Sequence, residues 1–234
     1  MNSHIRSARN SVPLFAAWLA FSAVLFVRHD ANADGLTGDI TGSVSILRDG
    51  ENKGDRSNVV LYLKNGPKLE PSDASVVQRI HQRNKQFTPS VVVAPLGSSV
   101  EFPNEDKIFH NVFSLSKAAR FDLGLYKSGE SKSIKAKKPG VIDVFCNIHP
   151  QMFAKIVVVD TKHYAITESD GRFKIPAVPV GTYELVAWQA RGDQVVARVK
   201  VAGGKRNDVR VELVESTERE RHRRKDGTPY GRYE

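Results

Sequence analysis

The sequence lacks paired cysteines: Cys146 is the only cysteine among 234 residues, so no disulfide can form within the chain. Long apolar runs are also missing. The longest, Val12 to Val27, falls short of the roughly 20 residues that a membrane-spanning helix needs. These absences exclude a small scaffold built on disulfides and predict no membrane span beyond the N-terminal region.

The N-terminal residues are typical of a secretory signal. Arg6 and Arg9 precede the apolar run, and the small-residue triplet Ala31-Asn32-Ala33 follows it as a cleavage site. We expect residues 1–33 to be removed and the exported chain to begin near Asp34, in the periplasm. An uncleaved membrane anchor is the alternative. A lone cysteine is a liability in such an oxidising compartment unless a ligand occupies it.

The charge balance is basic, with a formal net charge of +9. Lysine and arginine are interspersed with acidic residues, and the predicted export also argues against a nucleic-acid partner. The charge therefore indicates steering of a negatively charged partner or, equally well, a merely soluble surface.

Sustained helical periodicity is scarce as well. From Ile40 onward, short segments rich in valine and isoleucine are separated by glycine, proline, aspartate and asparagine, a pattern that predicts an all-β sandwich. One short helix, capped by Ser72, is predicted between Glu70 and Gln86.

Composition shifts near Asp34, Asp160 and Glu215 predict the domain organisation. After the signal peptide, residues 34–85 hold N-terminal strands and the short helix. A first β-domain follows at 86–160 and a second β-module at 161–214. Residues 215–234 are rich in charge and without large aliphatic side chains, so we expect a disordered tail.

The strongest chemical signal is the group Cys146, His149 and Met152, which follows a predicted strand from Val141 to Phe145. Copper that cycles between Cu(I) and Cu(II) needs ligands acceptable to both states. Two imidazoles, one thiolate and a weak axial thioether provide such a set. The cysteine would bind as a thiolate, because the metal displaces its proton.

A second imidazole must come from elsewhere in the chain, and His110 is the candidate because it stands where a turn-rich loop meets a new strand. The other histidines of the exported chain are His81, His163 and His222. Taken singly, each of the four proposed ligands is commonly a surface or core residue. The metal prediction depends on all four together.

The spacing of Cys146, His149 and Met152 resembles the copper loop of amicyanin-type cupredoxins, with two residues between successive ligands. The resemblance covers about residues 86–160 and implies a Greek-key β-sandwich that binds one type 1 (blue) copper ion. In cupredoxins an asparagine often follows the first histidine and ties its loop to the cysteine loop. Asn111 matches that position.

The second module, Thr167 to Leu213, resembles the carboxypeptidase regulatory-like domain, a small transthyretin-like β-sandwich. Asp170-Gly171-Arg172-Phe173 and Pro179-Val180-Gly181-Thr182-Tyr183 carry that resemblance. Residues 40–63 also resemble the opening strands of such a domain, so the first domain is either separate from it or inserted into it. The whole arrangement resembles exported bacterial methylamine utilisation proteins.

These resemblances imply a periplasmic one-electron carrier whose redox partner is a c-type cytochrome or a periplasmic dehydrogenase, with a link to methylamine oxidation. We expect no enzyme activity. An oxidase or nitrite reductase needs further copper ligands, usually in close His-x-His pairs, and no His-x-His pair occurs in the sequence. Copper storage or delivery, and a non-catalytic structural module, are the alternatives.

Overall fold

The structure is a computed structural model that describes residues 36–70, 76–217 and 222–230, and the predicted signal peptide lies outside these ranges. Within them, no helix is long and apolar enough to cross a membrane. The described residues form eighteen strands. They are β1 Thr37–Arg48, β2 Glu51–Asn52, β3 Val60–Lys64, β4 Val77–Arg79, β5 His81–Arg83, β6 Gln86–Thr88, β7 Val91–Pro95, β8 Ser99–Pro103, β9 His110–Leu115, β10 Arg120–Tyr126, β11 Ser131–Lys135, β12 Gly140–Phe145, β13 Phe153–Val159, β14 Tyr164–Ile166, β15 Arg172–Pro179, β16 Gly181–Trp188, β17 Val195–Val201 and β18 Arg206–Val214.

Ten of these strands, β4 to β13, form the first sandwich, which we call the inner sandwich. A five-stranded sheet of order β10-β9-β12-β13-β7 and a three-stranded sheet of order β11-β8-β4 share one core, with the β5-β6 pair beside them. The core holds Phe102, Ile142 and Ile156, all fully buried. The predicted all-β fold class is thereby confirmed for this part of the chain.

The second sandwich, the outer sandwich, is built from both ends of the described chain. One sheet has the order β15-β1-β18, with β2 paired to β1, and the other has the order β14-β3-β16-β17. Strands β1 and β18 pair in parallel from Asp39↔Arg206 to Leu47↔Val214. Because β1–β3 precede the inner sandwich and β14–β18 follow it, the inner sandwich is inserted into the outer one.

The two sandwiches share an apolar junction that explains the unbroken valine runs of β7 and β13. Alternate side chains of a strand point to opposite faces. In β7, Val92 and Ala94 enter the inner core, whereas Val91 and Val93 pack at the junction with Val60 of β3. Strands covered on both faces read as continuous apolar runs.

The short helix predicted between Glu70 and Gln86 is wrong for the part that is described. Residues 71–75 lie outside the described ranges, and the chain from Val77 onward forms β4 and β5. Strand β4 pairs in parallel with β8, from Val77↔Ser99 to Arg79↔Glu101. The helix prediction was based on a cap at Ser72 and on the apolar residues Val76, Val77 and Ile80. Such a short apolar set does not distinguish a helix from a strand. Pairing with β8 therefore decides the conformation.

The disorder predicted for residues 215–234 is wrong for Glu215 and for residues 222–230. Glu215 is buried at the end of β18, where its carboxylate accepts from Arg48 at 2.5 Å. Residues 222–230 form a turn that contacts the inner sandwich through His222 and Tyr230. The prediction failed because it weighed aliphatic side chains, whereas this segment is held by aromatic rings and hydrogen bonds.

Candidate metal centre

Three predicted ligands meet at one end of the inner sandwich. His110 is the first residue of β9, and Cys146 directly follows β12, the strand beside it. The register Phe145↔Phe113 places the start of β9 and the end of β12 at the same edge of the sheet. His149 lies in the loop that connects β12 to β13. The sheet thus brings together side chains that are far apart in sequence.

The donor atoms of these residues face one another. The two Nδ1 atoms of His110 and His149 are 3.1 Å apart, and Cys146 Sγ lies 3.6 Å from Nδ1 of His149 and 4.0 Å from Nδ1 of His110. His110 and Cys146 are fully buried, whereas His149 is half-buried. Among the described residues, these three form the one group of histidine, cysteine and acidic side chains with metal-binding proximity.

Backbone hydrogen bonds close the cysteine loop, Cys146 to Met152. The N–H of Cys146 donates to the carbonyl of Met152 at 3.2 Å, and the N–H of Met152 donates to the carbonyl of His149 at 3.1 Å. The side chain of Met152 is fully buried in the inner core, in the same cluster as Cys146. The fourth predicted ligand therefore belongs to the same tight loop as two of the others.

Asp106 belongs to the candidate site, although the sequence did not single it out. Its Oδ2 atom lies 2.7 Å from Nε2 of the buried His110, and its carboxylate also accepts the backbone N–H groups of Asn84 and Lys85. A carboxylate at Nε2 keeps a proton on that nitrogen. Nδ1 of the neutral ring then turns its lone pair toward the other donors, whereas Nδ1 of the protonated ring donates to Cys146. An acidic residue four positions before a candidate ligand was the available signal.

A further asparagine fixes the loop that carries Asp106. Asn104 is buried, and its side-chain amide donates to the carbonyls of Ile108 and Tyr126 at 2.9 and 3.1 Å. Its Oδ1 accepts the backbone N–H of Asp106 at 3.0 Å. The loop before β9 is thus held from within, and Asp106 is held against His110.

The electrostatics of the centre favour a thiolate. Burial opposes ionisation of Cys146, but hydrogen bonds from His110 and from the backbone N–H groups of Asn111, Ile148 and His149 outweigh it and lower the pKa of the thiol. Burial likewise opposes the charge on His110, yet its bonds to Cys146 and Asp106 raise its pKa. Burial and the nearby charge of His110 lower the pKa of His149.

Asn111 does not make the contact expected of it. Its side-chain amide donates to Oδ1 of Asp122 in β10 at 2.7 Å, and not to the cysteine loop. Its backbone N–H, however, supports the thiolate of Cys146. The side chain turns to Asp122 because that carboxylate is a stronger acceptor than a backbone carbonyl. Asn111 therefore supports the centre through its backbone and its neighbouring strand.

The donor set fits a soft transition-metal ion. Two imidazole lone pairs and a thiolate that converge within 4.0 Å repel one another unless they share a proton or a cation. Thiolate and thioether ligands select Cu(I) and related soft ions, and imidazole suits both oxidation states of copper. A metal at this point would be held by His110, Cys146 and His149, with Met152 nearby in the chain.

Comparison with known proteins identifies part of the outer sandwich. Residues 148–214 match the family model of the carboxypeptidase regulatory-like domain. This match confirms the resemblance drawn from the motifs of the second module. The matched residues run from the cysteine loop to the end of β18, although the outer sandwich also includes β1 to β3. No curated protein matches the chain in sequence.

Several solved copper proteins are similar to parts of the chain. A purple cupredoxin from Nitrosopumilus maritimus is 19% identical over 35% of this chain and 99% of that chain, with a TM-score of 0.32. An amicyanin variant in the Cu(I) form is 16% identical over 42% and 98%, with a TM-score of 0.34. A Cu-containing nitrite reductase from Thermus scotoductus SA-01 is 24% identical over 50% and 28%, with a TM-score of 0.35. TM-scores this low add no weight to the fold, which stands on the strand pairing and cores above.

Proposed function

We propose that this chain binds one copper ion of the type 1 (blue) kind through His110, Cys146, His149 and Met152, and carries single electrons. The observation that carries the proposal is the convergence of two Nδ1 atoms and one Sγ atom within 4.0 Å in a buried site. Thiolate, imidazole and thioether ligands together suit a copper ion that changes oxidation state without changing partners.

The surroundings of the site support electron transfer over catalysis. His110 and Cys146 are fully buried and lie at the ends of paired strands, so the ligands have little room to move between oxidation states. A substrate has little access to them. His149 is half-buried and is the route for the electron to the surface. We therefore expect no enzyme activity from this centre.

The exposed side chains beside the ligands suggest how a partner docks. Ile108 and Phe109 precede His110, Ile148 precedes His149, and all three are exposed apolar residues. A redox partner such as a c-type cytochrome or a periplasmic dehydrogenase would dock there. With the predicted signal peptide, the proposal places the protein in the periplasm, and a link to methylamine oxidation belongs to the same proposal.

The test is the visible spectrum of the copper-loaded protein, produced with its own leader and purified after export. Wild type should show an intense thiolate-to-copper band at roughly 600 nm. Cys146→Ser should abolish it, and His110→Ala and His149→Ala should each weaken or abolish it. Met152→Leu, which retains most of the buried volume, should keep the band and raise the reduction potential, since the axial ligand tunes it.

The matched control is His163→Gln. His163 is also a buried histidine, but it directly precedes β14 of the outer sandwich. It should leave the band unchanged. Copper binding without the band would favour the alternative, a periplasmic copper storage or delivery protein. A wild-type protein that binds no copper at all would contradict both and leave a structural module.

A further inference from the structure

The C-terminal segment His222 to Tyr230, which we call the strap, lies against the cysteine loop. Three hydrogen bonds join the two. His222 Nε2 lies 2.7 Å from the carbonyl oxygen of Pro150, the backbone N–H of Lys225 donates to Asn147 Oδ1 at 2.9 Å, and the hydroxyl of Tyr230 donates to the carbonyl of Cys146 at 2.7 Å. The strap therefore contacts the loop at Cys146, Asn147 and Pro150.

Ring contacts add to these bonds. The imidazole of His222 stacks on Phe145 with centroids 4.1 Å apart and planes inclined by 18°, and Tyr230 packs edge-on against His222 at 5.1 Å. Phe145 is the last residue of β12, directly before Cys146. The strap is thus attached to the strand that positions the cysteine as well as to the loop.

An ion pair connects the strap to the neighbouring strand. Lys225 Nζ lies 2.5 Å from Asp122 Oδ2, and the other oxygen of Asp122 accepts from Asn111. Asn111 follows His110, so the strap reaches both sides of the candidate metal centre. Lys225 also donates its backbone N–H to Asn147, so Asp122 and Lys225 link the strand of Asn111 to the cysteine loop without a direct contact from the Asn111 side chain.

The strap holds its own shape by a turn at Asp226-Gly227. Asp226 Oδ1 accepts from the backbone N–H and the hydroxyl of Thr228, and the N–H of Arg224 donates to the carbonyl of Thr228 at 3.0 Å. Gly227 has φ of 86°, a conformation that side chains disfavour. His222 and Tyr230 are thereby brought to the same side, facing the loop.

We propose that the strap is an integral part of the metal centre: it holds the cysteine loop in its ligand-ready form, with His222 and Tyr230 as positioning residues. The proposal rests on the proposed copper function for its purpose but not for its physical test. Outer contacts of metal ligands commonly change metal affinity by about 10- to 100-fold. Their loss here should speed the opening of the loop and the release of copper.

The first test needs no metal, because Cys146 is the only thiol in the chain and is fully buried. The rate at which an aromatic disulfide reagent labels it in the metal-free protein reports how often the loop opens. Tyr230→Phe removes one hydrogen bond and should speed labelling about two- to tenfold. A chain that ends at Thr217 loses every strap contact and should label more than tenfold faster.

The matched control is Tyr183→Phe. The hydroxyl of Tyr183 donates to the carbonyl of Pro179 at 3.1 Å, the same kind of bond in the outer sandwich. Its loss should leave labelling at the wild-type rate. Unchanged labelling in both Tyr230→Phe and the shortened chain would overturn the proposal, and Tyr230→Phe decides the matter if the shortened chain fails to fold.

The second test measures the release of Cu(I) to a chelator from the loaded protein. The shortened chain should release copper about 10- to 100-fold faster than wild type. Equal release rates would overturn the role of the strap while the copper function stands. Faster labelling in a protein that never binds copper would overturn the copper function while the strap stands.

Discussion

The inner and outer sandwiches have similar apolar cores but use their buried polar groups differently. In the outer sandwich, buried polar groups such as Thr167 and Glu215 are paired with backbone or ionic partners. Thr167, for example, donates to the carbonyl of Arg56 and accepts from the N–H of Val59. In the inner sandwich, His110 and Cys146 lie buried with their donor atoms turned toward each other and toward His149.

This difference is the basis for a proposed division between a scaffold and a functional sandwich. A buried polar group that is hydrogen-bonded by its neighbours stabilises the fold and has no donor or acceptor left for a ligand. The converging donor atoms of His110, Cys146 and His149 are the arrangement on which the proposed copper site rests. The candidate site lies at one end of the inserted inner sandwich, and the outer sandwich flanks that insertion in sequence.

The largest expected effect in this comparison comes from the outer core. Ile175 is fully buried there, and Ile175→Ala should lower the free energy of unfolding by about 3 kcal/mol, since it removes apolar contacts and leaves a cavity. Urea unfolding followed by circular dichroism measures the loss. The copper spectrum of the folded variant should equal that of wild type.

The inner-core counterpart is Ile142→Ala. Ile142 is as fully buried as Ile175 and lies on β12, the strand that leads to Cys146. It should cost a similar free energy and also alter the copper band. An unchanged band in Ile142→Ala, or an altered one in Ile175→Ala, would contradict the division between scaffold and function.

Local spacing made the cysteine loop predictable. Cys146, His149 and Met152 lie within one short loop, so their sequence offsets alone place them at one edge of the sheet. The fourth group, His110, was identified by its position at a loop–strand boundary, and the structure sets its Nδ1 atom beside that of His149. The strand pattern likewise predicted the all-β fold.

The features that escaped prediction depend on contacts between distant residues. Asp106 bonds to His110 because Asn104 holds the intervening loop, and nothing in the local sequence reveals that geometry. The strap meets the cysteine loop across more than seventy residues, as with Tyr230 and Cys146. The Asp226-Gly227 turn signal and the nearby aromatic residues were the available hints, but a charged composition outweighed them.

A smaller effect is expected at the most heavily paired carboxylate of the outer sandwich. Glu215 accepts from Arg48 and Lys53, each at 2.5 Å, with its side chain 4% exposed. Burial opposes its ionisation, but these two bonds outweigh burial and lower its pKa. Glu215→Gln should lower the free energy of unfolding at pH 7 by about 2 kcal/mol, since it weakens charge-assisted hydrogen bonds.

The pH dependence of that loss distinguishes charge from packing. Because the folded-state pKa of Glu215 lies below its unfolded value of about 4.3, the ionised group stabilises the fold above that value. This stabilisation is lost as the pH falls through the folded-state pKa. The free energies of unfolding of wild type and Glu215→Gln should therefore converge as the solution becomes acidic. A constant difference from pH 7 to pH 3 would show that packing, not charge, is responsible. The copper spectrum should not change.

The smallest effect is expected inside the metal centre, at Asp106. Asp106→Asn keeps a hydrogen-bond acceptor for Nε2 of His110 but removes the charge that raises the basicity of the ring. Copper affinity should fall about tenfold, or about 1.4 kcal/mol, and the reduction potential should rise because the weaker donor favours Cu(I). Competition with a chelator and redox titration measure the two quantities.

Asp39→Asn is the matched control, since it removes a carboxylate paired with Lys174 at 2.7 Å in the outer sandwich. It should change neither the copper affinity nor the reduction potential. If Asp106→Asn also changes neither, the carboxylate only braces the loop, and the geometry of His110 is set by its strand rather than by its charged neighbour.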